Sequence, residues 1–308
     1  MNPTRWFDSR RTLAAALIAV AGAFASCAPA PSALSPRDFE TRWHDLLAQR
    51  NYPAAQQLIA QRDKQVPDDP EVIIARANLY FRQATGPAAG FAAGGRTRAA
   101  AGDSMGLDTV LAQRALDTLR EGIHRHPERL DMRMGLAFLC QQLGMRIAEV
   151  QVVQETIGYS LQHGEALRWS YGEPLSLPAN QYVPQVLHDY VRYYADRGAP
   201  GDDQAMMALA QLIMQAYPNS PYVPNDVAYW YATQNQWERS LDFLKLAERA
   251  DSTDALVLYN LGWAHEQLKR RTPAVHYYRR ALAVGTAGRK ADIVQSASQR
   301  LAALGATP

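Results

Sequence analysis

Cysteine is scarce: 308 residues hold two, Cys27 and Cys140, too few for a disulfide framework or an all-cysteine zinc site. An excess of one charge sign is missing as well. Lys and Arg number 32 against 30 Asp and Glu, and the first 26 residues hold three Arg and one Asp, so the remainder carries 29 of each. That balance removes the general attraction by which nucleic-acid binders neutralise phosphates, although a local patch can survive in a neutral average. Nucleic acid is therefore not the expected partner. Glycine-rich phosphate loops, serine elbows and dinucleotide fingerprints are missing wherever a strand-to-helix turn could use them, so neither a catalytic site nor a cofactor is expected. No strand-like alternation competes with helical spacing. What remains is an ordinary globular composition, 47% hydrophobic and 20% charged, which excludes a disordered chain.

One long apolar run stands at the start. Arg5, Arg10 and Arg11 precede a stretch from Leu13 to Ala25 made almost wholly of Ala, Leu, Ile, Val, Gly and Phe. Its length of about thirteen residues falls short of the roughly 20 needed to cross a bilayer, so an export leader over residues 1–26 is expected in place of a retained span. Phe24-Ala25-Ser26-Cys27 resembles the bacterial lipobox, in which small residues precede a cysteine that is acylated and becomes the new N-terminus. That resemblance implies lipidation at Cys27. With Ala28 following the cysteine, it also implies an outer-membrane, periplasm-facing location in a Gram-negative bacterium. Residues 27–36, rich in Ala, Pro and Ser, read as a tether.

The rest of the chain repeats itself. Ala228, Ser240, Leu244, Ala247 and Ser252 recur thirty-four positions later as Gly262, Ala274, Tyr278, Ala281 and Thr286, small matched with small and large with large. Leu258, Leu261-Gly262, Ala274, Tyr278 and Ala281 fill a pattern that resembles the tetratricopeptide repeat, a helical hairpin whose small residues let neighbouring helices approach. The resemblance implies an all-α fold, a right-handed superhelix of about five to six hairpins. Earlier copies follow the same logic: Phe39, Trp43, Leu46, Ala55 and Ile59 between Pro36 and Asp69, then Ile73, Ala77 and Tyr80 from Pro70. Residues 37–163 are expected to form an N-terminal array, and residues 184–288 a C-terminal one. Residues 289–305 are expected to be a helix capping the last hydrophobic face.

Two segments interrupt the period. The spacing between Ala77 and the next helix-B small residue, Ala115, implies an insertion of about 26 residues, and residues 84–108, rich in Gly, Ala and Arg, are expected to be flexible. Residues 164–183 hold Trp169, Tyr171, Pro174, Pro178 and Tyr182, and are expected to be an irregular loop ordered by aromatic packing, since prolines interrupt helices. One continuous superhelix is expected, with a division into two subdomains at this loop as the alternative.

In tetratricopeptide arrays the concave groove is lined by the second, fifth, sixth, ninth and twelfth positions of each repeat. The resemblance places Tyr222, Asn225, Asp226, Tyr229 and Ala232, then Leu256, Tyr259, Asn260, Trp263 and Glu266, on that face. Aromatic rings offer contact area at small entropic cost, and Asn pairs with the backbone of an extended peptide at both donor and acceptor. A competing reading packs Tyr229, Tyr259 and Trp263 between helices as core. The cations of the carboxylate-clamp subclass have no counterparts here.

Other residues that invite a chemical reading have plainer ones. His124 and His126 point to different helix faces and sit at a helix end, and His265-Glu266 lacks a second His four residues on, so no metal site is expected. Cys140 is expected to be a buried thiol, and the pairs Asp68-Asp69 and Asp202-Asp203 to be turn residues. The expected function is a lipid-anchored scaffold that binds an envelope protein or peptide in its groove. An assembly factor acting through the convex face or loops is the alternative, and an envelope enzyme with an unfamiliar site near Trp169 and Tyr171 is a third.

Overall fold

The computed structural model describes residues 34–85 and 106–307, which form thirteen α-helices and no strand. The leader, Cys27 and most of the tether lie outside the described residues, as do residues 86–105 of the expected insertion. No described helix is long and apolar enough to cross a membrane. The chain divides into two compact units. Of the described residues, the first contains those up to Gln142 together with Arg168–Glu173, and the second contains Leu143–Leu167 and those from Pro174 onward. The division falls before the expected loop because α5 packs on α3 and α4 whereas α6 packs on α7 and α8.

The first unit holds α1 (Pro36–Ala48), α2 (Tyr52–Gln65), α3 (Pro70–Thr85), α4 (Thr109–Arg125) and α5 (Leu130–Gln142). Local signals set the boundaries. Ser35 accepts from the Asp38 amide and Pro36 fills the first helical turn of α1, while Asn51 and Asp108 cap α2 and α4 in the same way. The successive pairs α1/α2 and α3/α4 pack as hairpins. Phe39, Trp43, Ala55, Ile59, Val72, Ala75 and Leu79 form one core cluster; of the residues that spacing marked as inward-facing, Phe39, Trp43, Ala55, Ile59, Ile73 and Ala77 are buried, whereas Leu46 and Tyr80 are half-buried. The expected flexible segment 84–108 begins inside a helix: Ala84 is fully buried on α3, and α3 continues through Thr85.

Part of the irregular segment is tied to the first unit by its backbone. Arg168 donates its amide to the Glu128 carbonyl at 2.8 Å and accepts from the Leu130 amide at 2.9 Å, a single bridge beside the start of α5. The Tyr171 amide donates to Glu71 at 3.0 Å, and Arg37 lies over the Tyr171 ring while pairing with Glu173 at 2.7 Å. Backbone pairing and ion pairs therefore fix Arg168–Glu173 on the first unit. Glu71 also accepts from Arg129 at 2.7 Å, and Arg129 grips Asp131 with two further bonds. Burial pushes the Glu71 carboxyl up to about 7 even against the pull of Arg129.

The second unit holds α6 (Arg146–His163), α7 (Ala179–Arg197), α8 (Asp202–Ala216), α9 (Tyr222–Thr233), α10 (Trp237–Ala250), α11 (Ala255–Gln267), α12 (Arg271–Ala287) and α13 (Ala291–Ala303). The pairs α7/α8, α9/α10 and α11/α12 pack as hairpins and α13 covers the last of them, with Ile293, Ala297 and Leu301 buried. The small residues of the period do what the packing needs. A methyl group on Gly262 would stand 2.7 Å from Cδ1 of Tyr278, so the ring of α12 lies directly on the backbone of α11.

Helix α7 starts at Ala179, inside the segment expected to be irregular to residue 183, and carries Pro184 within it. The proline ring deprives the Asn180 carbonyl of its helical donor, and Asn180 is exposed near the helix start, where solvent can reach it. Gly198, left-handed at φ 60°, ends the helix. Asp69 and Asp202 also differ from expectation. Asp69 is buried against Arg62, and Asp202, 1% exposed, is gripped by Arg197 and Arg146 and by the Ala199 amide at 2.9 Å. Asp68, at φ 62° and exposed, is the turn residue that was expected.

Candidate functional site

The expected groove residues of the second unit fall on α9 and α11, and α7 adds two more to the same row. His188 and Arg192 stand thirty-four positions before Tyr222 and Asp226, at the second and sixth repeat positions. Repeat geometry therefore stacks His188 beside Tyr222 and Arg192 beside Asp226. The rings of His188 and Tyr222 are 5.3 Å apart and inclined by 22°. His188 Nδ1 lies 2.7 Å from Asp226 Oδ2. Arg192 Nη1 approaches Asp226 Oδ1 at 3.6 Å, its Nε approaches Asp196 at 3.6 Å, and its guanidinium lies 5.1 Å above the Tyr229 ring.

The row continues onto α11. Asn260 Nδ2 donates to Asn225 Oδ1 at 2.8 Å, tying the sixth position of one repeat to the fifth of the one before. At the twelfth position Glu266 accepts from Arg300 Nε at 2.9 Å and from the Tyr278 hydroxyl at 2.7 Å. Polar side chains on successive first helices thus form cross-repeat pairs, which fix how the hairpins stack. Burial would lower the His188 pKa, but the hydrogen bond and charge of Asp226, aided by Asp189, raise it above the ordinary value. Burial likewise raises Asp189, with His188 opposing.

The expected residues divide by exposure. Asn225 and Asp226 are buried, and their polar atoms are engaged by neighbours, so they shape the row from beneath. Tyr259 is half-buried against Tyr278, with centroids 5.5 Å apart, and Trp263 is half-buried edge-on to Trp237 at 5.0 Å. The core reading thus holds in good part for these two. Tyr222 is half-buried under His188, whereas Tyr229 at 36% and Leu256 at 42% face solvent. Between Tyr229, Asn260 and Trp263 a niche floored by Ala232, Ser240 and Leu244 has room for about one water molecule. Tyr229 and Leu256 are the exposed members of the row, and Arg192 contacts Asp226 and Asp196 at 3.6 Å without a hydrogen bond among the described residues.

No protein-family model matches the chain, and no curated protein matches its sequence. Solved structures similar to it are tetratricopeptide-repeat proteins. One is the C-terminal part of such a protein from Cytophaga hutchinsonii, at 11% identity and TM-score 0.46, with 88% of this chain and 87% of that one covered. A thermophilic tetratricopeptide protein of Thermus thermophilus has 14% identity and TM-score 0.32, covering 87% of this chain and 99% of that one. YrrB, described as having an unusual peptide-binding site, has 10% identity and TM-score 0.35, covering 73% and 91%. The helical-hairpin architecture rests on this chain's own packing.

His188 and Arg192 were missing from the row expected from sequence. The signal was available, because the thirty-four-residue register extends back one further copy. The remaining candidates stay apart. His124 is exposed, His126 lies 3.3 Å from Asp68, and Cys140 is fully buried. Among the described residues no three His, Cys, Asp or Glu side chains gather as a metal set would.

Proposed function

We propose that the chain is a lipid-anchored scaffold of the bacterial envelope that holds a protein or peptide partner along the first-helix row of its second unit. The observation that carries this reading is the pairing of Arg192 with the exposed ring of Tyr229, beside which stand Asn260 and Trp263. Arg192 approaches Asp226 and Asp196 only at 3.6 Å, beyond hydrogen-bond distance, so its guanidinium retains N–H donors for a partner's carbonyl or carboxylate groups, and the ring supplies apolar contact at little entropic cost. The cross-repeat pairs beneath hold this strip in place before a partner arrives, which reduces the ordering cost of binding.

The export leader and lipobox support attachment through Cys27, outer-membrane location and a periplasm-facing array. An acylated N-terminus with several chains is stably anchored, and anchoring concentrates a captured partner near the membrane, so modest affinity in the row suffices. The row holds binding groups rather than a nucleophile with its base, so the proposed activity is capture, with no cofactor.

The test compares capture from native envelopes by the wild type and by Arg192→Gln with Tyr229→Ala. Both side chains are solvent-facing enough that helicity and melting temperature are expected to stay close to wild type. Loss of one captured protein from the variant supports the reading, and equal capture by both refutes it.

A further inference from the structure

The C-terminal stretch departs from the neutral average of the chain. From Leu268 to Ala291 there are seven Lys and Arg and no Asp or Glu. From Leu268 to the C-terminus eight basic residues face the single Asp292, whereas residues 27–267 carry 21 basic and 28 acidic residues. The two parts thus bear charges of +7 and −7. Such asymmetry points to an anionic partner for the basic part.

Placement sharpens this. The cations cluster on α12 and the turns at its two ends. Arg270, Arg280 and Arg300 are neutralised by Glu238, Glu248 and Glu266. Five are not. Lys269, Arg289 and Lys290 are exposed and pair with no carboxylate among the described residues. Arg271 donates to the Leu304 carbonyl at 3.1 Å and Arg279 donates to that of Thr307 at 2.9 Å, bonds to neutral acceptors that leave the charge uncompensated. Exposed His276 stands between them on the helix.

We propose that this α12 face docks on the headgroups of an anionic phospholipid bilayer. The seventeen residues of α12 span about 25 Å, and the exposed positions between the cations are Thr272, Ala283, Thr286 and Ala287, small enough to let the helix lie on a plane. No large hydrophobic side chain is exposed among the described residues of α12 and α13, so the contact is electrostatic and does not insert. No Phe, Tyr or Trp ring is exposed among them and His276 is the single exposed imidazole there, which favours a headgroup surface over a run of stacked single-stranded bases. This inference is independent of the groove reading.

The test is vesicle co-sedimentation of the chain from residue 27 onward carrying Cys27→Ser, which keeps every described helix and removes the acyl anchor. Binding is measured to phosphatidylcholine vesicles with and without phosphatidylglycerol, for this protein and for a variant with Lys269→Asn, Arg289→Asn and Lys290→Gln. Lys269 and Arg289 have φ of 58° and 54°, and Asn235 occupies the equivalent turn at 59°, so Asn suits that backbone. The unsubstituted surface is expected to bind only the anionic vesicles and to release at about 0.5 M salt. The triple variant is expected to bind roughly a hundredfold more weakly with unchanged helicity. Should the triple variant fail to fold, Lys290→Gln alone is expected to weaken binding roughly fivefold. Equal binding to both vesicle types, unchanged binding by the folded variants, or tighter binding to a single-stranded oligonucleotide would each overturn the proposal.

Discussion

His188 Nδ1 and Asp226 Oδ2, 2.7 Å apart, join the first helices of two successive repeats beneath the exposed Arg192–Tyr229 pair. The imidazole is raised above its ordinary 6.5 because Asp226 outweighs the opposing effect of burial. A group whose folded pKa lies above its unfolded value holds its proton more tightly in the folded chain. Its stabilisation is complete below about pH 6.5 and fades as pH climbs through the raised value.

The melting temperature is therefore expected to fall as pH rises from about 6.5 to 8, and His188→Gln is expected to flatten that fall. Thermal denaturation followed by circular dichroism across this range checks it. An equal slope in the variant would assign the pH dependence to another group.

Gly262→Ala is expected to destabilise the protein by about 1–3 kcal/mol, since the added methyl meets Tyr278 at 2.7 Å and that ring is fully buried. The Tyr278 hydroxyl is also held by Glu266, so the ring has little freedom to move aside. Urea denaturation measures the loss. Wild-type stability in this variant would mean that α11 and α12 are not in close contact.

The period was legible because small residues are fixed by close helix approach, and Ala228, Gly262, Ala274 and Ala281 can hardly be anything larger. Ser35 and Asp254 cap α1 and α11, a signal that the repeat spacing alone did not use. Buried charge was not legible. Asp202 reads as a turn residue until Arg197 and Arg146, from two other places in the chain, are seen to converge on it. Pro184 reads as a breaker because the exposure of Asn180, which makes the lost hydrogen bond tolerable, is a property of the folded chain. The row was half legible: the residue types on α9 and α11 marked it, but which rings face solvent depends on Trp237 and Tyr278 packing from behind.

Asp202→Ala is expected to cost about 1–3 kcal/mol, because it removes the buried acceptor shared by Arg197, Arg146 and the Ala199 amide, while both guanidinium groups remain partly open to solvent. Burial opposes ionisation of Asp202, but the bonds from Arg197, the Ala199 amide and Arg146 hold its pKa below the ordinary 3.8. Its contribution is present above that value and is lost as pH falls. Asp202→Asn should accordingly show a shallower loss of stability in acid, measured by melting temperature between about pH 5 and 2.

Thiol titration separates the two cysteines. Cys140 is fully buried and should resist aqueous thiol reagents until the chain unfolds. Protein purified from envelopes is expected to yield one reactive thiol in denaturant, because an acylated Cys27 has no free sulfhydryl. Two reactive thiols would refute lipidation.

The central claim is that a partner lies along the first-helix row of the second unit, and site-specific photo-crosslinking in native envelopes tests it most directly. A photoreactive residue at position 229 or 256 is expected to trap the same protein, while one at position 249 on α10 or 299 on α13, both exposed, is expected to trap none. Cross-links from 249 or 299 with none from 229 and 256 would contradict the account.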